Sequence, residues 1–218
     1  VEFLRKRKDV DRNRVALVGH SEGGLVALLT AANAKPKRVT AVALLATPGT
    51  TGGELVLEQQ QYLLDKLKLP ADEKQSRVDL QKRIQAAVVS GTGWEGIPEA
   101  FRKQADTLWF RSFLSFDPVK VTARVEQPVL VVQAERDRQV PSPRHGQLLL
   151  EAAKARKKQP DAALVTIDGV NHLFVPADTG DIDEYALLQD KRVSPKAMDA
   201  LVPWLKDKLH VGAAGAGR

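Results

Sequence analysis

Apolar residues gather along this chain in short runs of strand length, at Val15 to Val18, Val39 to Leu45, Val129 to Val132 and Leu164 to Ile167. Helical patterns lie between them, and this alternation predicts an α/β fold: a mostly parallel sheet flanked by helices. Helices are expected over Leu25 to Ala34, from about Ser142 to Lys158, and from Ser194 onward. In the last of these Ser194 can cap, Pro195 takes the first helical position, and Met198, Leu201, Val202, Leu205 and Leu209 fall on one face. Pro203 should kink it.

Positions 46 to 128 separate the second strand from the third, too long a stretch for a single crossover, so an insertion is expected there. Glu54 to Leu69 and Asp72 to Ser90 read as amphipathic helices, and Trp94 to Phe116 holds Trp94, Phe101, Trp109, Phe110, Phe113 and Phe116. Two readings of these rings stand side by side. They form the insertion's own core and pack it on the sheet, or Trp109, Phe110 and Phe113 line an apolar acyl or alcohol pocket as part of a lid. The expected organisation is a core α/β part over 1–46, a helical lid or cap over 47–118, a second core part over 119–211, and a flexible tail over 212–218. There is no internal repeat.

The strongest chemical signal is Val15-Ala-Leu-Val-Gly19-His20-Ser21-Glu22-Gly23-Gly24, an apolar run turning into a small, helix-forming segment with serine at the apex. This is the G-x-S-x-G pattern of a nucleophile elbow. By composition alone such a pattern arises about once in fifteen chains of this length. The strand before it and the helix after it raise the signal, while a purely structural strand-to-helix turn stays the alternative. Gly19 and Gly23 are read as relieving the crowding of a sharp, strained turn.

A serine hydroxyl needs a base, and the base needs an acid to fix its tautomer. Four histidines are available. His20 is locked beside the serine, His145 opens a helix after Pro143, and His210 sits near the C-terminus. His172 remains, in the turn-rich Asp168-Gly-Val-Asn-His172-Leu-Phe directly after the last strand. Loops at the carboxyl ends of parallel strands carry the site in open α/β sheets, so His172 should lie on the edge that holds Ser21. Asp137, three residues beyond the third strand, is the leading acid; Glu135 is its nearer rival, and Asp168 and Asp117 read as turn or cap residues. The order Ser21, Asp137, His172 is the Ser-Asp-His order of the α/β-hydrolase fold. The backbone N–H of Glu22, at the start of the elbow helix, is one expected oxyanion donor.

Composition narrows the alternatives. With 43% hydrophobic and 28% charged residues, 218 residues can bury a sizeable core. No apolar run approaches the ~20 residues that span a bilayer. Residue 1 is Val and not Met, which leaves a removed leader open, and the compartment is not legible. The absence of cysteine excludes disulfides, thiol nucleophiles and thiolate metal sites. The net charge of +6 peaks at Arg5-Lys-Arg-Lys8 with Arg12 and Arg14. Acidic residues interleave along most of the chain and no aromatics accompany the cluster, so a solvated surface is preferred to nucleic-acid binding.

The chain resembles the α/β-hydrolase superfamily, within it the bacterial esterases and serine-aminopeptidase-like hydrolases with a G-H-S-E-G-G elbow. The residues that carry the resemblance are Gly19-His-Ser-Glu-Gly-Gly24, Thr47-Pro-Gly49, Phe116-Asp-Pro118, Gln127-Pro-Val-Leu-Val-Val132 leading to Asp137 and Val140-Pro141, and Gly169-Val-Asn-His172. Ala134 departs from it, standing where relatives usually carry glycine. The resemblance implies about four strands before the elbow and a second oxyanion donor in a loop after the third of them. Only Val1 to Arg14 precede the elbow strand here, so the chain reads as the C-terminal half of the domain, with an upstream segment or a second chain expected to complete the sheet.

The function expected is hydrolysis of a small-molecule carboxylic ester through an acyl-enzyme on Ser21, His172 and Asp137, with no metal or organic cofactor. A peptidase, amidase or thioesterase with the same residues, and a non-catalytic binding protein on the same scaffold, are the alternatives.

Overall fold

The computed structural model describes residues 1–34, 38–157 and 161–211. The segment 212–218, read above as a flexible tail, lies outside them, as does Lys158. In chain order the elements are α1 (Glu2–Arg5), β1 (Ala16–His20), α2 (Glu22–Asn33), β2 (Ala41–Leu45), α3 (Gly52–Lys66), α4 (Ala71–Ser90), α5 (Glu99–Ala105) and α6 (Leu108–Ser115). They continue with α7 (Pro118–Thr122), β3 (Val129–Ala134), α8 (Arg144–Lys154), β4 (Ala162–Ile167), a 3-10 turn (Ile182–Ala186) and α9 (Pro195–Lys208). The chain divides into two compact units, 1–49 with 118–218, and 50–117.

The first unit is a four-stranded sheet in the order β1-β2-β3-β4. All three pairings are parallel, with Gly19 opposite Leu44, Leu44 opposite Val131, and Val131 opposite Leu164. Alternate residues serve opposite faces, as the two-residue period of a strand requires. Val42, Leu44, Val129 and Val131 join Ala27 and Leu28 of α2 and Leu149 and Ala153 of α8 in one core. Ala43, Leu130, Val132 and Ile167 join Ala197 and Leu201 of α9 in the other. Burial on both faces is why β2 and β3 read as unbroken apolar runs. β1 has a single strand neighbour among the described residues. Near it Val18, Val26 and Leu29 are exposed.

Three local expectations change. Helix α8 begins at Arg144, after Pro143. Proline has no N–H to offer and tends to stand at a helix start. Ser194 occupies the N-cap of α9 but its side chain makes no capping bond; its N–H goes instead to the Phe174 carbonyl at 2.8 Å. Met198 is exposed while Ala197 and Leu201 are buried, so the apolar face of α9 is narrower than the sequence pattern suggested. The helix runs on through Pro203.

The second unit is helical. α3 opens on a complete capping box, Thr51 accepting the Glu54 N–H and Glu54 accepting that of Thr51. α4 ends at Gly91, whose φ of 79° is left-handed and suits glycine at a helix end. Ile84, Ala87, Val88, Trp94, Ile97 and Leu114 form this unit's core, with Phe110 packed at its edge. None of the described helices is long and apolar enough to cross a membrane.

Candidate active site

Parallel pairing sends the carboxyl ends of all four strands to one edge of the sheet. β1 delivers Ser21 there, β3 delivers Glu135 to Gln139, and β4 delivers Asp168 to Leu173. The ladder continues one residue past the strands: Ser21 N–H donates to the Leu45 carbonyl at 2.8 Å, Ala46 to Val132 at 2.8 Å, and Glu135 to Ile167 at 3.0 Å. The first residue of the loops after β1, β2 and β3 is thereby tied to the sheet.

Ser21 has φ 55° and ψ −124°, a combination that side-chain-bearing residues rarely adopt. It stands between strand and helix without capping α2 by its hydroxyl. The turn is crowded at Gly19, as the sequence pattern predicts, but its second crowded position is Gly24 and not Gly23. A Cβ on Gly19 would lie 2.2 Å from the Gly23 carbonyl oxygen, and one on Gly24 would lie 1.9 Å from Thr47 Oγ1. A Cβ on Gly23 would meet nothing within 4 Å. The second required glycine is therefore Gly24, and Thr47, fully buried, is what it accommodates. The doubled glycine after the serine was the signal for this. Glu22 is the first residue of α2, so its N–H is among the first-turn donors that a helix leaves to caps, water or ligands.

Asp137 and His172 meet. His172 Nδ1 lies 2.7 Å from Asp137 Oδ2, with both residues buried. The other carboxylate oxygen accepts the N–H groups of Gln139 and Val140, each at 2.8 Å. A carboxylate cannot donate, so the hydrogen on the neutral ring sits at Nδ1 and Nε2 carries the lone pair. His172 is held by a loop wound on fully buried Asn171, whose Oδ1 accepts the N–H groups of Leu173 at 3.0 Å and Val175 at 3.2 Å. Its carbonyl accepts His20 Nε2 at 2.8 Å, which ties the loop to the end of β1. Among the described residues no hydrogen bond joins the Ser21 hydroxyl to His172. Such contacts commonly tighten only when substrate binds.

The rivals go elsewhere. Glu135 Oε2 accepts the Gly169 N–H at 2.6 Å, bracing the turn that precedes the histidine. Asp168 is exposed. His145 is fully buried, and its Nδ1 accepts the Gly49 N–H at 3.0 Å, pinning the loop after β2. His210 lies beyond α9.

Sequence reasoning missed a brace around the acid loop. The Arg136 guanidinium donates to the Ala177 carbonyl, Arg138 Nε to that of Thr179 at 3.1 Å, and Gln139 Nε2 to Tyr185 Oη at 3.0 Å. Glu184 closes the brace on itself. Its carboxylate accepts the Thr179 hydroxyl at 2.7 Å and the N–H groups of Asp178, Thr179 and Gly180 at 2.6, 3.0 and 2.9 Å. These bonds, the Thr179 hydroxyl first, hold its carboxyl at about 2. Burial pushes the Tyr185 phenol up, and partial burial lowers the pKa of His20.

In the helical unit, Trp109 stacks on Phe110 and on Phe113 with ring centroids 5.8 and 5.7 Å apart. Trp109 is 59% exposed, while Phe110 and Phe113 are half-buried. Trp109 and Phe110 border a groove of about 420 Å³ with Val56, Ile84 and Phe101. Among the described residues no group of three or more His, Asp or Glu side chains is placed to hold a metal ion.

A family model described as the alpha/beta hydrolase family matches residues 1–186. Esterase EstD of Thermotoga maritima is 24% identical over 205 residues, covering 94% of this chain and 45% of EstD. The chain thus spans about half the length of the curated relative it matches. Among solved structures, DcsB in complex with its substrate analogue superposes with a TM-score of 0.53 at 17% identity, over 95% of this chain and 69% of that one. The alpha/beta hydrolase GrgF from Penicillium sp. sh18 gives 0.52 at 18% identity, over 96% and 68%. At these identities the superpositions speak to the fold alone.

Proposed function

The chain belongs to the alpha/beta hydrolase family, and from that premise we propose that it serves a serine hydrolase cleaving carboxylic esters through an acyl-enzyme. The observation that carries this reading is the buried 2.7 Å contact between Asp137 and His172, on the sheet edge that also holds Ser21 in its strained turn.

In this mechanism Asp137 keeps the His172 proton on Nδ1 and offsets the charge that develops when the ring becomes imidazolium. Nε2 takes the proton of the Ser21 hydroxyl as Oγ bonds to the ester carbonyl carbon. The proton then passes to the departing alcohol as its C–O bond breaks, leaving an acyl-serine. Water repeats the sequence: Nε2 takes its proton, the acid is released, and the proton returns to Oγ. The Glu22 N–H, at the positive end of α2, is assigned the role of holding the carbonyl oxygen as it gains charge.

The helical unit is the proposed lid. Its exposed Trp109, stacked with Phe110 and Phe113, offers an apolar surface suited to the hydrocarbon part of an ester. The EstD similarity supports the choice of ester as substrate class.

Covalent labelling with a fluorophosphonate, followed by peptide mapping, tests the reading. Label on Ser21, its loss in Ser21→Ala, and faster turnover of an ester than of the matched amide are expected. Equal labelling of Ser21→Ala would overturn it.

A further inference from the structure

The turns of the His172 loop are closed without the His172 carbonyl, while its backbone N–H is hydrogen-bonded to the Tyr185 phenol oxygen. Asn171 takes the N–H groups of Leu173 and Val175 on its side chain, the Phe174 N–H donates to the Asn171 carbonyl at 2.8 Å, and the Asn171 N–H donates to that of Val175 at 3.0 Å. The carbonyl of His172 serves none of these turns. It accepts His20 Nε2 at 2.8 Å, from a residue 152 positions away that immediately precedes Ser21. The two imidazoles lie with centroids 4.7 Å apart, and the ring of Phe174 meets His20 edge-on at 6.3 Å.

We propose that His20 is a positioning residue for the base: it clamps the backbone of His172 to the elbow, so that the imidazole is fixed from both ends. Asp137 sets the ring through Nδ1, and His20 sets the backbone from which the ring hangs. The inference rests on the hydrolase reading above for its catalytic consequence, though not for its structural one.

Chemistry constrains the clamp. A carbonyl oxygen carries no proton, so His20 must bear its own on Nε2. Partial desolvation of the ring lowers its pKa, which favours the neutral form at neutral pH. Neutrality suits the role, since a cation 4.7 Å from His172 would oppose the imidazolium that forms during catalysis. A clamp with a polar N–H and no charge is what this position calls for.

Two substitutions separate the hydrogen bond from the packing. His20→Phe keeps a ring against His172 and Phe174 but has no donor, whereas His20→Gln restores an N–H at comparable reach. The structural readout is the proton NMR signal of the His172 Nδ1–H, assigned by its loss in His172→Ala. The kinetic readout is kcat and KM for a short p-nitrophenyl ester. In His20→Phe the Nδ1–H signal should broaden through faster exchange with water. There kcat should fall about 10- to 100-fold, the scale of a 1 Å misplacement, with KM changed little. His20→Gln should recover most of both. An Nδ1–H signal equally sharp in wild type and His20→Phe overturns the inference. If the signal depends on His20 in a protein that turns over no ester, the clamp stands and the hydrolase reading falls.

Discussion

Asp137 and His172, 35 positions apart in the chain, share a 2.7 Å hydrogen bond between two buried side chains, and the second oxygen of Asp137 is held by the N–H groups of Gln139 and Val140. The carboxylate is fixed by its own loop before the histidine meets it. Its orientation, as well as its charge, is built in.

Replacing Asp137 by Asn should therefore leave the protein folded while removing the acceptor that selects the Nδ1–H tautomer. We expect kcat for ester hydrolysis to fall by up to about 10⁴. Glu135→Gln, which alters only the contact to Gly169, should cost far less. Steady-state kinetics on both variants checks the assignment, and the reverse ranking would move the acid to Glu135.

The elbow makes a distinct prediction for each of its glycines. Gly24→Ala drives a methyl into Thr47 and should destabilise by about 1–3 kcal/mol, as overpacking does. Gly19→Ala should cost more, because its obstacle is backbone. Gly23→Ala meets open space in a helix and should be neutral or stabilising by about 0.5–1 kcal/mol. Denaturant unfolding ranks the three.

Trp109 and Phe110 stack on one another yet differ in burial. Trp109→Ala should barely change the thermal midpoint while raising KM for octanoate esters several-fold more than for acetate. Phe110→Ala, at the edge of the helical core, should cost about 0.5–3 kcal/mol of stability as well. A loss in Trp109→Ala that is equal for both esters would assign the stack to packing alone.

The brace around the acid loop carries a pH signature. Glu184 is held at about 2 against an ordinary 4.5, so the folded state binds its proton less readily than the unfolded chain. Its stabilising effect is complete above pH 4.5 and is lost as pH falls towards 2. The gap in thermal midpoint between wild type and Glu184→Gln should therefore shrink across that window. A constant gap would mean that the carboxylate charge is not what holds the brace.

What the sequence determined by itself is what local chemistry determines. Apolar runs placed the four strands to within a few residues, most sharply β2 and β3, where burial on both faces of a parallel sheet leaves no polar positions to blur them. The strand-turn-helix around Ser21 was legible for a similar reason, since a turn that sharp admits few residue types. The order of Ser21, Asp137 and His172 followed once parallel strands were inferred, because such strands deliver their following loops to one edge.

The tertiary structure decided everything that depends on which distant groups converge. Asp137 and Glu135 lie two residues apart on one loop; that one meets His172 and the other Gly169 depends on how the loop folds back against β4 and its turn. Gly24 is required by Thr47, and nothing in the ten residues around the elbow announces that partner. His20 was set aside as an occupant of the turn, and only the packing of a loop 152 positions away gives its Nε2 a carbonyl to hold. Periodicity and turn chemistry are properties of neighbours along the chain, whereas hydrogen-bond partners in a site are chosen by long-range contacts that exist only once the core has set the loops in place.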